Sequence, residues 1–511
     1  MPKVSVIVPV YNPGSNIDDL IRTVLDQSMP AEDYEVVFVD DGSTDDTPAR
    51  LDALAAEHDN VHTIHIPNSG WPGKPRNVGT DAATGEYVLY VDNDDWLGHE
   101  ALERWYAKAK ADDADVVVGK VVGHGKFVPR PLFRRNRSNV TLEWPPLITL
   151  LSPHKLFRRA FLAEHGIRFP EGRRRLEDHV FVMHAFFHAR SISVLADYPC
   201  YHWMLRDASA SFARMDPHGY FANLREVLDL IEEHTEPGPL RDELFVHWYR
   251  GKLLKRVGGG SFARREETDP EYNRELYEVI HELAHERFDA RHEALLPFHL
   301  RVRSRLLRDG DFEGLMLLAH FEGQLKARGR VRVTPRNGGL ELDVEATIEG
   351  AEQPLAFRRD GDRLRWVAPP ELERRLPADA LDATERFDRS TLQLLLQSKA
   401  DRAEFLVPGR SELRLDDDGR PVLTVRTALD PATAAGGGPL PAGDWALLGN
   451  PIVGGFTRTA TLRRDPGKRA LRLTVDADGR IADTTPAPAP APAPQTPSVR
   501  LKRRVKRLLR R

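Results

Sequence analysis

The chain has 511 residues, of which 41% are hydrophobic and 29% charged, with a net charge of −4. That length exceeds one ordinary core and predicts two or three domains, and no stretch approaches the ~20 consecutive apolar residues that span a bilayer. The single cysteine, Cys200, excludes an intramolecular disulfide framework and fits a reducing compartment.

Met1-Pro2-Lys3 leads directly into the apolar run Val4 to Val10, which is too short for a signal-peptide core and cleavage site. A cytoplasmic protein is expected. Val4 to Val8 reads as a buried strand, and Ile17, Leu20, Ile21, Val24 and Leu25 then recur at helical spacing. Glu35 to Val39 is a second strand, with Thr44 and Asp45 as caps for a helix carrying Leu51 and Leu54. Val61 to Ile66 alternates apolar and polar residues, Tyr87 to Val91 is another strand, and a helix around Leu102 and Trp105 precedes Val116-Val117-Val118. Strands alternating with helices predict an α/β unit with a parallel sheet covered on both faces. Ligands bind beyond the carboxyl ends of the strands in such sheets.

Residues from about 120 to 210 read as irregular with short helices, and those from 215 to about 327 as helical, with Leu224, Val227, Leu228 and Ile231 on one face. From 328 to 483, β-prone runs such as Leu340 to Val344 and Val422 to Val425, split by Gly, Asp and Pro turns, predict a β-sandwich. Thr484 to Pro497 is an Ala-Pro linker. The tail Ser498 to Arg511 holds eight Lys or Arg and no acid, so the rest of the chain stands at −12. Its Leu501, Val505 and Leu508 share one helical face, as in a basic amphipathic helix lying on an anionic membrane surface. The competing reading is a disordered, solvated tail. No nucleic-acid partner is expected, because no aromatic or base-reading module accompanies the tail.

The chemistry-bearing residues stand at the strand ends. Asp92-Asn93-Asp94 places two carboxylates where a hard cation, Mn2+ or Mg2+, can be held against phosphate, although an isolated Asp-rich turn is usually just solvated. Asp40-Asp41-Gly42-Ser43 is ordinary turn chemistry unless a ligand group is there to receive, such as the N3–H of uracil. Asn68 to Asn77 is a glycine-containing loop running into a helix, where backbone N–H groups and Arg76 suit a phosphate. Glu177-Asp178 follows Arg173-Arg174-Arg175 and reads either as a surface salt-bridge patch or as the place of a general base.

As an ordered set, Val4 to Asn12, Val39 to Asp45, Pro75-Arg76-Asn77-Val78-Gly79, Gly85-Glu86-Tyr87, Asp92-Asn93-Asp94 and Glu177-Asp178 resemble the family 2 inverting glycosyltransferases of GT-A fold, over residues 1 to about 214. The resemblance implies a Rossmann-like catalytic domain that uses a UDP-sugar and a divalent cation. Pro9, Tyr11 and Asp41 then correspond to uracil and ribose contacts, and Asn68, Arg76 and Asp92 to further donor contacts. Asp94 corresponds to the metal ligand, Asp178 to the catalytic base, and Glu177 to a residue orienting donor or acceptor sugar. His154 to Arg159 resembles the family's Lys-Leu-aromatic-Arg stretch. Tyr201, Arg206 and Ser211 resemble its Tyr-x(4)-Arg-x(4)-Ser segment, so Arg206 and Ser211 join the donor-binding set. Surface cations remain the alternative reading of Lys155 and Arg206.

Gly70-Trp71-Pro72-Gly73-Lys74-Pro75-Arg76, the helical middle and the β-rich C-terminal part further resemble bacterial wall teichoic acid β-glycosyltransferases. That resemblance implies transfer of N-acetylglucosamine to a hydroxyl of an anionic cell-wall polymer, and assembly as a homo-oligomer, a trimer. The Ala-Pro linker and basic tail are not part of that pattern, and the tail's place at the inner face of the cell membrane is read from its own charge and apolar face. Lys126, Arg130, Arg134, Arg135 and Arg137, with Arg168 and Arg173 to Arg175, are the cations expected to draw such a polymer. The alternatives are a transferase of capsular or other polysaccharide synthesis, and a non-catalytic glycan-binding or assembly protein.

Overall fold

The computed structural model describes residues 1–205, 214–465 and 469–486. Arg206, Ser211 and the basic tail lie outside the described residues.

The N-terminal unit is built on a nine-stranded sheet. Its strands are β1 (Val4–Val10), β2 (Tyr34–Asp40), β3 (Val61–His65), β4 (Tyr87–Tyr90), β5 (Trp96–Leu97), β6 (Val116–His124), β7 (Arg137–Val140), β8 (Leu156–Arg158) and β9 (Ile192–Met204). Helices α1 (Asp18–Leu25), α2 (Thr47–Glu57), α3 (Gly73–Ala82), α4 (Ala101–Ala111), α5 (Arg159–Glu164) and α6 (Glu177–His188) connect and cover them. The order is β3-β2-β1-β4-β8-β6-β9-β5, with β7 on β9. β1, β2 and β4 are buried along their whole length, which is why they read as unbroken apolar runs.

The all-parallel sheet expected from the sequence is corrected to a mixed one. β1 to β4 pair in parallel, but β8 enters antiparallel between β4 and β6. The stretch expected to be irregular supplies most of β6 together with β7, β8 and β9. β9 escaped notice because Asp197 and Pro199 interrupt its apolar pattern, and its pairing with β6 shifts register around Lys120. The helix after β2 starts at Thr47, and its Thr47 N–H is bonded by the carboxylate of Asp45; Thr44 instead bonds Asn12.

The sheet registers Val10 opposite Asp40, and Asp40 opposite His65. The carboxyl ends of β1, β2 and β4 therefore share one edge. Gly42 sits in the turn there at φ +73°, where a Cβ would lie 2.7 Å from the Asn68 nitrogen, so only glycine lets the Asp41 and Asn68 loops meet.

A helical region follows: α7 (Pro217–His234), α8 (Pro239–Trp248), α9 (Gly259–Thr268), α10 (Pro270–Arg287), α11 (Ala290–Leu295), α12 (Phe298–Arg308) and α13 (Phe312–Gln324). Asp216 and Asp269 cap α7 and α10 through the N–H groups of Gly219 and Tyr272, each just ahead of a proline suited to a first turn. Leu224, Val227, Leu228 and Ile231 are buried on α7, which packs against α6. After α8 the chain makes a π-helical turn, Tyr249–Leu253.

The C-terminal part holds a five-stranded and a seven-stranded sheet. In one, β10 (Lys326–Arg336) and β11 (Gly339–Glu349) form a hairpin; β12 (Phe357–Asp360) and β13 (Arg363–Trp366) form a separate small one. β14 (Thr391–Ser398) is central to the other sheet. The two sheets touch face to face, with Leu342, Val344 and Ala346 of β11 and Leu392, Leu394 and Leu396 of β14 in the shared core. This part docks on the first unit: His124 Nδ1 lies 2.8 Å from the Asp401 carbonyl, and Arg130 reaches Glu404 at 3.1 Å. Thr484 and Thr485 bond Arg472 and so belong to the last sheet.

Candidate active site

A cleft of about 730 Å³ opens at the shared strand edge. Pro9, Tyr11, Asp41, Asn68, Arg76, Asp92, Asp94, Glu177 and Asp178 all line it, although they come from six separate stretches of chain. Tyr11 leaves β1 and is half exposed, presenting a ring to the cleft. Asp41 is buried at the end of β2, and its two carboxylate oxygens accept from Ser69 N–H at 2.8 Å and Ser69 Oγ at 2.9 Å. Asn68 donates to the Asp41 carbonyl.

Arg76 projects from α3 and is buried. Its Nη2 donates to Asp92 at 2.8 Å, and its Nη1 lies 3.6 Å from Glu177. Burial opposes its charge, but Asp92, Glu177 and Asp178 together outweigh burial and raise its pKa. Nε and Nη1 are buried and make no hydrogen bond among the described residues, and the guanidinium places a fixed cation at the cleft wall.

The acidic turn after β4 is divided in its roles. Asp92 meets Arg76 with one oxygen and His154 Nε2 with the other, at 3.0 Å. Burial pushes its pKa up, but His154 and Arg76 prevail and hold it well below the usual carboxylate range. Asp94 is half-buried on the cleft wall. Asp95, to which the sequence reading gave no part, is fully buried. It accepts from the Tyr201 hydroxyl at 2.6 Å and from Met204 N–H at 2.7 Å, fastening the turn to β9. Burial, then Asp92 and Asp94, raise its pKa well above normal.

Asp92, Asp95 and His154 bring ligand atoms within 4.8 Å of one another. They nevertheless do not form a ready metal set, since Asp95 is committed to β9 and both oxygens of Asp92 are engaged. Asp94 offers the hard oxygen chemistry that Mg2+ or Mn2+ takes from one or two carboxylates plus phosphate and water. The donor set therefore fits a divalent cation shared with a substrate phosphate.

Asp178 stands in the first turn of α6. Leu176, just before it, is in the left-handed region at φ +66°, a conformation costly for a branched side chain, and is buried. Burial, then Glu177, push the Asp178 carboxyl up to about 7, against the opposing pull of Lys252 and Arg76. A carboxylate tuned near neutrality suits proton abstraction.

Lys155 is fully buried rather than a surface cation, and donates to the Ser152 carbonyl. Burial lowers it to about 7. Of the cations expected to serve an anionic partner, only Lys126 and Arg175 line the cleft. Arg130 turns to Glu404, Arg168 to Asp81 and Arg174 to Glu226. Arg137 lies over Trp144, and Arg134 and Arg135 are exposed elsewhere.

Lys252 and Arg256 of the helical region complete the cleft and were missed. Their spacing of four in a helical stretch was a legible signal, but nothing in the sequence says where that stretch docks. His179 marks the junction: its Nδ1 accepts from Trp248 Nε1–H at 3.1 Å, and Lys252 Nζ lies 3.3 Å from its Nε2. His154, quoted only as part of a motif, proves to be the second partner of Asp92.

Residues 5–198 match the profile of "Glycosyl transferase family 2", and residues 217–319 that of the "Glycosyl transferase TarS linker domain". The chain is 30% identical over 239 residues to the poly(ribitol-phosphate) beta-N-acetylglucosaminyltransferase TarP of Staphylococcus aureus strain N315, covering 45% of this chain and 72% of TarP. The chain belongs to glycosyltransferase family 2.

This glycosyltransferase is also 33% identical over 329 residues to the poly(ribitol-phosphate) beta-glucosyltransferase of Bacillus spizizenii strain W23, covering 63% of this chain and 51% of that one. It thus spans about half the length of the first curated relatives that it matches. The crystal structure of S. aureus TarS residues 1–349 with UDP-GlcNAc superposes with a TM-score of 0.55 at 27% identity, covering 70% of this chain and 100% of that one. The longer S. aureus TarS crystal structure shares the fold over 94% of this chain and 86% of that one, at 23% identity and a TM-score of 0.53. The GT-A unit, helical middle and C-terminal sheets expected from the sequence are thus borne out. No helix among the described residues is long and apolar enough to cross a membrane.

Proposed function

We propose that this family 2 glycosyltransferase moves a sugar, N-acetylglucosamine in the first instance, from a UDP-sugar to a hydroxyl of an anionic cell-wall polymer such as teichoic acid, with inversion. The observation that carries this reading is the composition of one cleft. A nucleotide-sized wall (Tyr11, Asp41, Asn68), a buried arginine beside an acidic turn, a near-neutral Asp178 and four cations all face the same space. The named activities of the relatives, on poly(ribitol-phosphate), support the acceptor class.

In this mechanism Tyr11 packs against the base and Asp41 receives a donor from it. Arg76, clamped by Asp92 and Glu177, sets a fixed positive charge beside the diphosphate. Asp94 would hold Mn2+ or Mg2+, which when bound offsets charge on the leaving diphosphate. Asp178 takes the proton of the acceptor hydroxyl, which attacks the anomeric carbon from the face opposite UDP. Lys126, Arg175, Lys252 and Arg256 attract the phosphodiester groups of the acceptor.

We assign the catalytic unit to residues 1–214, the helical region to 215–327, the sandwich to 328–483 and the linker and tail to 484–511. The sandwich serves homo-oligomerisation, a trimer being the form proposed, and the tail contacts an anionic membrane face. Liposome flotation with and without residues 498–511 tests the tail, and equal flotation rejects it.

The function is tested by UDP release from a panel of UDP-sugars, UDP-glucose included, with Mn2+ or Mg2+ and purified teichoic acid. Polymer-stimulated release that is lost in Asp178→Asn is expected. Release that no polymer stimulates rejects the acceptor assignment.

A further inference from the structure

The contact between α6 and α7 carries a second cluster of metal-binding side chains, remote from the cleft. His184 and His188 stand four residues apart on α6, hence on one face of the helix. His234 is the last residue of α7. One ligand atom from each of the three imidazoles lies within 4.8 Å of the others, and all three rings are half-buried at the surface end of the helix pair.

Two of the rings are already oriented for ligation. His188 Nδ1 lies 2.9 Å from the His184 carbonyl, and His234 Nδ1 lies 3.0 Å from the Leu230 carbonyl. A carbonyl only accepts, so each Nδ1 carries the ring hydrogen and each Nε2 keeps its lone pair for a cation. This tautomer control by a main-chain oxygen is the usual outer support of a metal-bound histidine. The phenyl ring of Phe187 stacks on His234 with centroids 4.9 Å apart, holding its plane. His188 and His234 each end their helix, so a cation between them meets the negative ends of two helix dipoles.

We propose that His184, His188 and His234 form a three-imidazole site for Zn2+, with water in the fourth position, that clamps the catalytic helix to the helical region. Imidazole ligands select zinc over the hard, oxygen-seeking Mg2+ or Mn2+ suited to Asp94. Tetrahedral zinc with Zn–N near 2.0–2.1 Å needs nitrogens about 3.3 Å apart. The ligand atoms lie within 4.8 Å of one another, so binding calls for a closure of at most about 1.5 Å. His184, the nearer of the two α6 ligands, lies six residues beyond Asp178, about 9 Å along the helix at 1.5 Å per residue, and His188 about 15 Å. The ion would thus brace α6 without touching the reacting groups. Its bracing acts on the contact that brings Lys252 and Arg256 over the cleft.

The test uses the full chain carrying Asp94→Asn, stripped with EDTA, desalted and titrated with Zn2+ or Co2+. One zinc per chain by mass spectrometry, a rise in melting temperature of several degrees, and the intense visible absorption of four-coordinate cobalt are expected. His184→Gln and His234→Gln should each weaken zinc binding by more than about tenfold, while melting like the metal-free parent in EDTA. Zinc retained equally by these variants overturns the site, as does a parent protein that binds no zinc at micromolar concentration. Should a variant not fold, the cobalt spectrum of the parent decides, and absence of the four-coordinate band rejects the proposal.

Discussion

Arg76 Nη2 donates to Oδ1 of Asp92 across 2.8 Å, and this bond joins the helix after the Asn68 loop to the acidic turn after β4. Only the rest of one helix and one strand separate the two partners along the chain, yet each also reaches a residue from the second half of the unit: Arg76 reaches Glu177, and Asp92 reaches His154. The pair is thus the junction of the donor wall and the catalytic helix.

Arg76→Ala leaves Asp92, Glu177 and Asp178 without their shared cation. Breaking a buried pair in this way costs roughly 3–5 kcal/mol, and losing a preorganised donor to a leaving group costs about 100-fold or more in turnover. Arg76→Lys should recover part of the stability and little of the turnover, because a point charge does not reproduce the planar fork. Chemical denaturation and UDP release measure the two effects separately. An Arg76→Ala protein with wild-type stability contradicts the clamp.

Turnover should rise with pH through about 7, as Asp178 loses its proton. Glu177 raises this pKa and Lys252 lowers it, so Glu177→Gln should move the acid limb down and Lys252→Met should move it up. The folded pKa lies above the ordinary value of 3.8, so ionising Asp178 destabilises the fold as pH rises between about 4 and 7. Asp178→Asn should therefore melt higher than wild type at pH 8 and equally below pH 3.8, while losing UDP release. A pH profile unmoved by either neighbour excludes Asp178 as the titrating base.

Chelation should abolish UDP release, and Mn2+ or Mg2+ should restore it. Asp94→Asn is expected to raise the metal concentration needed for half-maximal rate by at least about tenfold with little change in melting temperature. Asp95→Ala should do the reverse. It removes the acceptor of the Tyr201 and Met204 bonds, lowering stability by about 1–3 kcal/mol. Metal titrations of rate beside melting curves distinguish the two carboxylates.

At pH above the acid limb, where Asp178 is ionised in every variant, Lys252→Ala and Arg256→Ala should raise KM for an anionic polymer severalfold and flatten its salt dependence, leaving UDP-sugar hydrolysis nearly unchanged. Charge reversal at Arg134 and Arg135 should alter neither, since both are exposed and neither lines the cleft. Polymer kinetics at two ionic strengths decide. Loss on reversal at Arg134 and Arg135 alone would return the acceptor path to that loop.

The strand runs of β1, β2 and β4, the acidic turns that end β2 and β4, and the helical stripe of α7 were legible because each is local. An apolar run, a turn residue or a 3.6-residue period needs only its own neighbours in sequence to be read. The same holds for Asp41, Arg76, Asp94 and Asp178, whose order along the chain carried the family resemblance before any contact was known. Only the tertiary structure decided how the second half of the unit joins the first. The antiparallel insertion of β8 depends on pairing across distant segments, and it brings His154 onto Asp92 and buries Lys155. It also separated look-alike charges. Arg130, Arg134 and Lys126 are equivalent in the sequence, but burial and partners send one to Glu404, leave one in solvent and place one on the cleft. Lys252 and Arg256 come to line the cleft by helix docking, a long-range event that seats Trp248 and Lys252 on His179 of α6 and that no local pattern sets.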